Sequence, residues 1–551
     1  MSAANDVIAI EPVDRAAEAR MDTPDDPTAP PPPPARGLRH AGRRFAASFV
    51  GVGRGLYLFP LDTTFRTVGL RYGWLKSLFT RTPAPIMAGL GQLRAERAAW
   101  RAARQVPAYG RFLAEQGVDA PALFPLGILG RLPETDKRNY VDRYGLLERC
   151  IDGRVPFRGT TIDESSGSTG TPYNWIRSSH ERMVAHRNIG FFARYAFGTE
   201  PLVTINAFSM GAWAAGFNMS LGMLRHGIVK STGPDLDKIL STLSYLGPGY
   251  RFLISGYPPF LKHLLDEGER VGFPWTDYRM HALVGGEGMT EELRDLLLTR
   301  FESVYSGYGA TDIEIGMAGE SPVSIAVRRL ARARPDVREA LFGRDPRLPM
   351  VFQYNPLDYL IETNEAGEML ITICRLKNVA PKIRYNLHDL GHVVRFRDVG
   401  PALERLGHTL DQITREYLEL PFVFHYGRSD ATVAYYGANI SPVDVEEVMH
   451  ALGEIGDRCA SYALLIGEDE HSNKQLEIAL ELRTGERAPW RQEALRRKFL
   501  GRLGEINQDY REAARFIPEG YEPRLAFYKA GEGPFADIDP RLKRPYIQQR
   551  P

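Results

Sequence analysis

Cysteine is scarce: the chain has three in 551 residues, Cys150, Cys374 and Cys459. Their spacing fits neither a zinc ligand set nor an even disulfide framework, which points to a reducing compartment. An excess of charge of either sign is lacking too. Lys and Arg number 69 against 68 Asp and Glu, a net charge of +1. No chain-wide positive field argues for nucleic acid. A run of about 18 uninterrupted apolar residues is also missing, so no spanning helix is expected. The nearest stretch, FAASFVGVGRGLYLFPL (45–61), is interrupted by Arg54 and broken by glycines. The chain does not open on a basic region followed by an apolar core, so no secretory signal is expected. The expected location is the cytoplasm, with neither membrane nor nucleic acid as partner. Nothing in the sequence sets the oligomeric state.

The length predicts two or three domains. Residues 1–37 are rich in Ala, Asp and Pro and end on five consecutive prolines, which predicts an extended, solvated tail. From about 90 to 115 the pattern is helical, with its arginines expected on a solvated face. Between 180 and 310, runs such as PLVTINAF (201–208), YRFLISGYP (250–258), RMHALVGGE (279–287) and ESVYSGYG (302–309) read as strands separated by amphipathic stretches. That alternation predicts an α/β domain with a mostly parallel sheet flanked by helices, whose ligands bind at strand ends. Strand-rich sequence follows from 350 to 425. A turn-rich junction near Gly427 then predicts a large domain over 38–426 and a small α+β domain over 427–551.

The chemistry-bearing signals fall at those strand ends. SSGSTGTP (165–172) offers hydroxyls, backbone N–H groups and free φ angles, which suit an anion held against the main chain. It is not a lysine-bearing phosphate loop, because Thr171 and Pro172 stand where Lys and Ser/Thr would be needed. GGEGMT (285–290) follows an apolar strand and precedes a helix. YGATDIEIG (308–316) joins an aromatic ring, the flexible Gly309, a hydroxyl and an acid. IRYNLHDLG (383–391) carries Asp389, and FHYGRSDATVAYYGANISPVDVEEV (424–448) spans the junction.

In this order, SSGSTGTP, GGE, YGATD, YNLHDLG and GRSD…GANISPVDVE resemble the AMP-forming acyl and aryl adenylating enzymes. The lead-in VPAYGRFLAEQGV…LGRLPETDKRNYVDRY (106–144) is similar to that of the phenylacetate–CoA ligase branch. The resemblance covers roughly 90–450 and is poor beyond. It implies an adenylate-forming large domain, a small C-terminal domain that moves between half-reactions, and use of ATP, Mg²⁺ and CoA. Ser165, Ser166, Gly167, Ser168, Thr169 and Gly170 would cover the β- and γ-phosphates. Gly285, Gly286 and Glu287 would border the adenine, and Tyr308, followed by Gly309, would stack on it. Thr311 would donate to the α-phosphate and Asp312 would help hold magnesium. Asp389 would accept from the ribose hydroxyls, with Arg428 adding a hydrogen bond there.

Two departures stand out. Asp312 is shorter than the glutamate common at its place, so a closer loop, a water or Glu314 is expected to make up the reach. The glycine-lysine-arginine tail of such enzymes is replaced by RLAFYKAGEGPFADIDPRLKRPYI, in which Lys543 is the expected catalytic equivalent and Lys529 the second choice. NAFSMGAWAAGFNMSLGML (206–224) places Phe208, Trp213 and Phe217 as an expected lining of the acid pocket. His281 reads as a core histidine. VRRLARARPDVREALFGRDPRLP (327–349) reads as a solvated helix or a docking surface. The resemblance thus implies activation of an aryl or arylalkyl acid and its transfer to CoA. Transfer to an amine or a carrier-protein thiol is the alternative, and a non-catalytic nucleotide-binding relative is a third reading.

Overall fold

A computed structural model describes residues 69 to 549, apart from 70, 119–126, 166–172, 212, 344, 346, 376, 415–416, 430–431, 490 and 537–546. The Pro-rich tail, most of the SSGSTGTP loop and Lys543 lie outside the described residues. An antiparallel pair, β1 (Thr160–Ser165) and β2 (Tyr173–Ser178), flanks that loop.

The apolar runs then build one sheet. Its first strands are β3 (Leu202–Asn206), β4 (Gly227–Ser231), β5 (Arg251–Gly256), β6 (Arg279–Gly285) and β7 (Ser303–Ala310). They are followed by β8 (Glu314–Gly319), β9 (Met350–Tyr354), β10 (Tyr359–Thr363), β11 (Glu368–Ile373), β12 (Tyr385–Val394) and β13 (Phe422–Arg428). The eleven strands lie in the order β10-β11-β12-β13-β9-β8-β7-β6-β5-β3-β4. The half from β7 to β4 is parallel and the rest antiparallel, so the sheet is mixed. β3 is buried along its whole length, as expected of a parallel strand covered on both faces. β4, at the edge, is not.

Helix boundaries follow local chemistry. Ser178 and Glu181 form a reciprocal capping box that starts helix Ser179–Phe197. Pro258 opens helix Pro258–Arg270, where its missing N–H costs nothing. Pro107 separates helix Ala84–Gln105 from Pro107–Glu115. Arg94 departs from the expected solvated face. It is buried, and its Nε donates to the Leu357 carbonyl at 2.8 Å.

The arginine-rich insert folds as helices Pro322–Ala333 and Pro335–Phe342. Three of its arginines meet acids of helix Glu291–Leu297: the buried Arg328 and the part-exposed Arg329 pair with Glu291, and the exposed Arg332 with Glu292 and Asp295.

The chain leaves the large sheet after Arg428, because Gly427 and Arg428 still pair with Leu390 and Asp389. A second core follows, in which Tyr435, Val448, Leu464, Ile478 and Phe499 are buried together. It holds the hairpin β14 (Val433–Tyr435) and β15 (Ala438–Ile440). Its four-stranded sheet comprises β16 (Cys459–Glu468), β17 (Lys474–Leu482), β18 (Arg524–Tyr528) and β19 (Ile547–Gln549). The helical run near 495–510 is two helices, broken at Asn507, whose side chain caps the second. Among the described residues no helix is long and apolar enough to cross a membrane.

Candidate active site

The C-terminal ends of β6 and β7 lie side by side at the centre of the large sheet. There the glycines are required by space. A Cβ on Gly285 would sit 3.0 Å from the Gly307 carbonyl, and one on Gly286, whose φ is +83°, 2.7 Å from the Tyr257 ring. Gly309 is tighter still, with the Glu314 carbonyl 2.4 Å from where a Cβ would be. This lets β7 fold back into β8 through the Thr311–Ile313 turn.

Arg177 holds that turn, donating to the carbonyls of Thr311 at 2.7 Å and Asp312 at 3.2 Å. The buried Asp312 carboxylate accepts from the Tyr385 hydroxyl at 3.0 Å and lies 3.3 Å from the ammonium of Lys137. Lys137 begins a short helical turn capped by Asp136 and Asn139. It stands in the ETDKRNY lead-in, where no local pattern marks it as a site residue. Glu314 points elsewhere. Its carboxylate accepts from the Tyr359 hydroxyl and pairs with the buried Arg375, both at 2.5 Å, so Asp312 is left to supply the acid at this turn.

Tyr308 and Asp389 come together. The tyrosine hydroxyl donates to Asp389 Oδ2 at 2.5 Å, and its ring stacks on Phe352 with His425 beside it. Arg428 lies 3.8 Å and His425 3.7 Å from the Asp389 carboxylate. Burial pushes the Asp389 pKa up, but His425, Arg428 and the Tyr308 hydroxyl together hold it below the usual value. Burial, then the Asp389 charge, drives the Tyr308 hydroxyl well above its own. The aspartate is thus a stable anion faced by donors, as a ribose diol would require.

Ser165 accepts from the Trp175 indole at 2.8 Å. Lys382 is buried with its ammonium 4.0 Å from the Trp175 ring centroid and 4.5 Å from that of Tyr385. Burial, then neighbouring Arg177, pushes its pKa well below the ordinary lysine value. Its position in APKIRY, between apolar residues, gave no cue to this.

A cavity of about 110 Å³ opens beside Gly285 and Gly307. Ile189, Phe192, Phe197, Phe208, Met219 and Tyr305 are among its walls. Of the three aromatics expected to line an acid pocket, Phe208 is on this wall, and Trp213 and Phe217 are not among the lining residues. Trp213 bridges to Glu164 through its backbone, and the Phe217 ring lies under Arg182. His281 is indeed a bonded core histidine: Nδ1 meets Ser303 Oγ at 2.9 Å and Nε2 meets Arg251 at 3.0 Å.

The smaller body closes on this site. The Gly437 N–H, at the tip of the β14–β15 hairpin, donates to Glu287 Oε1 at 3.0 Å, and Lys474 pairs with Glu287 Oε2. Gln508 donates to Glu164 at 3.0 Å. Lys529 is exposed and lies 3.5 Å from Glu532 within the smaller body.

No protein-family profile and no curated protein matches the chain. Solved structures do. One is 2-hydroxyisobutyryl-CoA ligase in complex with 2-HIB-AMP and CoA in the thioesterification state, at a TM-score of 0.57 and 13% identity over 86% of this chain and 91% of that one. The same ligase in its postadenylation state with 2-HIB-AMP gives 0.50 at 12% identity, with the same coverage. At such identity the likeness establishes the architecture alone: the chain has the fold of that ligase.

Proposed function

We propose that the chain is an ATP-dependent, AMP-forming ligase that activates a compact aryl or arylalkyl carboxylic acid as its adenylate and transfers the acyl group to CoA. The observation that carries this reading is the convergence of the Tyr308–Asp389–Arg428 group, the Thr311–Asp312 turn with Lys137, and an apolar cavity at the ends of two neighbouring strands.

A carboxylate attacks poorly and is repelled by a triphosphate, so the site has to hold both anions in line. In this reading Asp389 and Arg428 fix the ribose, Gly285, Gly286 and Glu287 border the adenine, and the loop from Ser165 to Gly170 covers the β- and γ-phosphates. The Thr311 hydroxyl serves the α-phosphate. The carboxylate oxygen attacks the α-phosphorus, the bond to the β-phosphate breaks, and pyrophosphate leaves. The thiol sulfur of CoA then attacks the acyl carbon, the thiol proton departs and AMP is released.

The residues fit a magnesium ion. This cation is usually held by one or two carboxylates plus phosphates and water, and Asp312, in the turn after β7, supplies one hard oxygen ligand. Bound there, it would neutralise charge on the phosphates, with Lys137 adjacent.

The cavity supports a small acid. A designed cavity of about 150 Å³ holds a benzene ring, so this one suits a single ring or a short branched chain better than a fatty tail. Lys543 remains the assignment for the lysine that meets the α-phosphate during adenylation, with Lys529 second. Movement of the smaller body between half-reactions completes the scheme.

The test is pyrophosphate release with ATP and Mg²⁺ across aryl, arylalkyl and fatty acids, with and without CoA, products being identified by mass. Acid-dependent pyrophosphate with an acyl-CoA product is expected. An acyl-adenylate that persists in CoA would move the acceptor to an amine or a carrier-protein thiol. Absence of pyrophosphate with every acid would overturn the reading in favour of a non-catalytic nucleotide binder.

A further inference from the structure

Glu287 stands on the large body with its side chain fully buried, yet both oxygens are satisfied from the small one. Oε1 accepts from the Gly437 N–H and Oε2 takes the Lys474 ammonium. Lys474 lies on β17, far in sequence from the hairpin whose tip it helps to hold. Nearby, Thr290 Oγ1 donates to Glu468 at 3.0 Å. Burial raises the Glu468 pKa, the Thr290 hydrogen bond and Lys474 lower it, and the charges of Glu292 and Glu287 raise it further. A carboxylate this buried needs a partner, so its satisfaction depends on where the small body sits.

The seat of the hairpin tip is equally specific. Gly437 has φ +87°, and a Cβ there would fall 2.4 Å from Tyr257 Cζ. Tyr257 packs edge-on against Phe208 of the cavity wall, ring centroids 5.2 Å apart. It is also the residue that Gly286 must clear. The Lys474–Glu287 pair therefore holds the tip against Tyr257, the ring that packs on Phe208 of the cavity wall.

We propose that Lys474 is a positioning residue for acyl transfer: by pairing with Glu287 it latches the β14–β15 hairpin on Tyr257, in the arrangement in which the acceptor reaches the acyl group, and it takes no part in adenylation. This rests on the ligase reading above. Lys474 touches neither reacting group; it acts through the hairpin and Glu287.

The experiment compares wild type, Lys474→Met, which keeps the aliphatic stem, and Lys474→Arg, which keeps the charge. Two readouts are taken. The first is hydrogen exchange at residues 436–440 in the protein without substrate. Loss of the pair should speed exchange there by at least about tenfold, the equilibrium change expected for one charge-assisted hydrogen bond, and Lys474→Arg should restore protection. Unchanged protection in Lys474→Met would overturn the latch whether or not the protein proves to be a ligase. The second separates the half-reactions. Pyrophosphate release in Lys474→Met should match wild type, while kcat for transfer from a supplied benzoyl-adenylate to CoA falls about tenfold or more and recovers in Lys474→Arg. Equal transfer, or an equal fall in both half-reactions, would overturn the assignment. A wild type that releases no pyrophosphate with any acid would instead remove the ligase reading and leave the exchange result to decide the latch.

Discussion

The Tyr308 hydroxyl donates to Asp389 Oδ2 at 2.5 Å, joining the end of β7 to β12 across the face where a nucleoside is expected. The contact occupies one carboxylate oxygen and leaves Oδ1 facing Arg428. Asp389→Ala removes a charged acceptor and should weaken ATP binding about 10- to 100-fold, the range for a hydrogen bond to a charged group. Tyr308→Phe keeps the ring and the carboxylate and should cost less than Asp389→Ala. Calorimetric titration with ATP checks both, and an Asp389→Ala variant binding ATP as wild type does would refute the ribose assignment.

The two acids of the TDIE turn should behave differently. Asp312→Asn removes the assigned ligand and should raise the Mg²⁺ concentration for half-maximal pyrophosphate release by about tenfold or more. Glu314→Gln should leave the Mg²⁺ requirement unchanged. It breaks a buried pair with Arg375, a change that costs about 3–5 kcal/mol in stability, and should show itself in thermal unfolding. A Mg²⁺ titration and a melting curve on each variant separate the two roles.

What the sequence disclosed and what it hid divide along physical lines. β3 and β5 were legible because strands buried on both faces read as unbroken apolar runs. Gly285 and Tyr308 lie at or beside the ends of β6 and β7, where the chain announces its turns, whereas Asp389, expected just past a strand, sits inside β12 and pairs there with Arg428. Trp213 and Phe217 were misplaced for a definable reason. Helix Ala214–Met223 is small and apolar nearly all round, so no stripe marks the face turned to the cavity. Lys137 meets Asp312 only through tertiary packing, and no local pattern relates them. Of the insert's arginines Arg328 is buried, which no local pattern marked because the acid that neutralises it, Glu291, lies one helix earlier. GRSD has the composition of a linker, yet its first two residues complete a ladder with β12.

The cavity's size rests on Gly307. A Cβ there would meet only the strand carbonyls of Val284 and Ala318, at 3.9 and 4.0 Å, so added atoms would fit without strain and take up cavity space. Gly307→Val should lower kcat/KM for ring-bearing acids by about 10- to 200-fold, the range for a methylene-scale change in an apolar pocket. Acetate and propionate should lose less, and ATP affinity should be unchanged. The substrate panel run on this variant is the check. A uniform loss across all acids would mean that the cavity does not hold the acyl group.

His388 links the large body to the junction. Its Nδ1 lies 3.2 Å from Glu368 and its Nε2 3.6 Å from Asp136, while Ser429 donates to the same Glu368 oxygen. The Asp136 hydrogen bond raises the His388 pKa; burial opposes it, and Glu368 adds to the rise. A histidine whose folded pKa is raised adds stability that is complete below its unfolded value of about 6.5 and is lost as pH climbs through the folded value. His388→Gln should therefore lower Tm most near pH 6, and the gap from wild type should narrow as pH rises toward 9. Thermal unfolding of both proteins across that range checks the sign; a gap that widens with pH would mean that His388 is neutral in the folded protein.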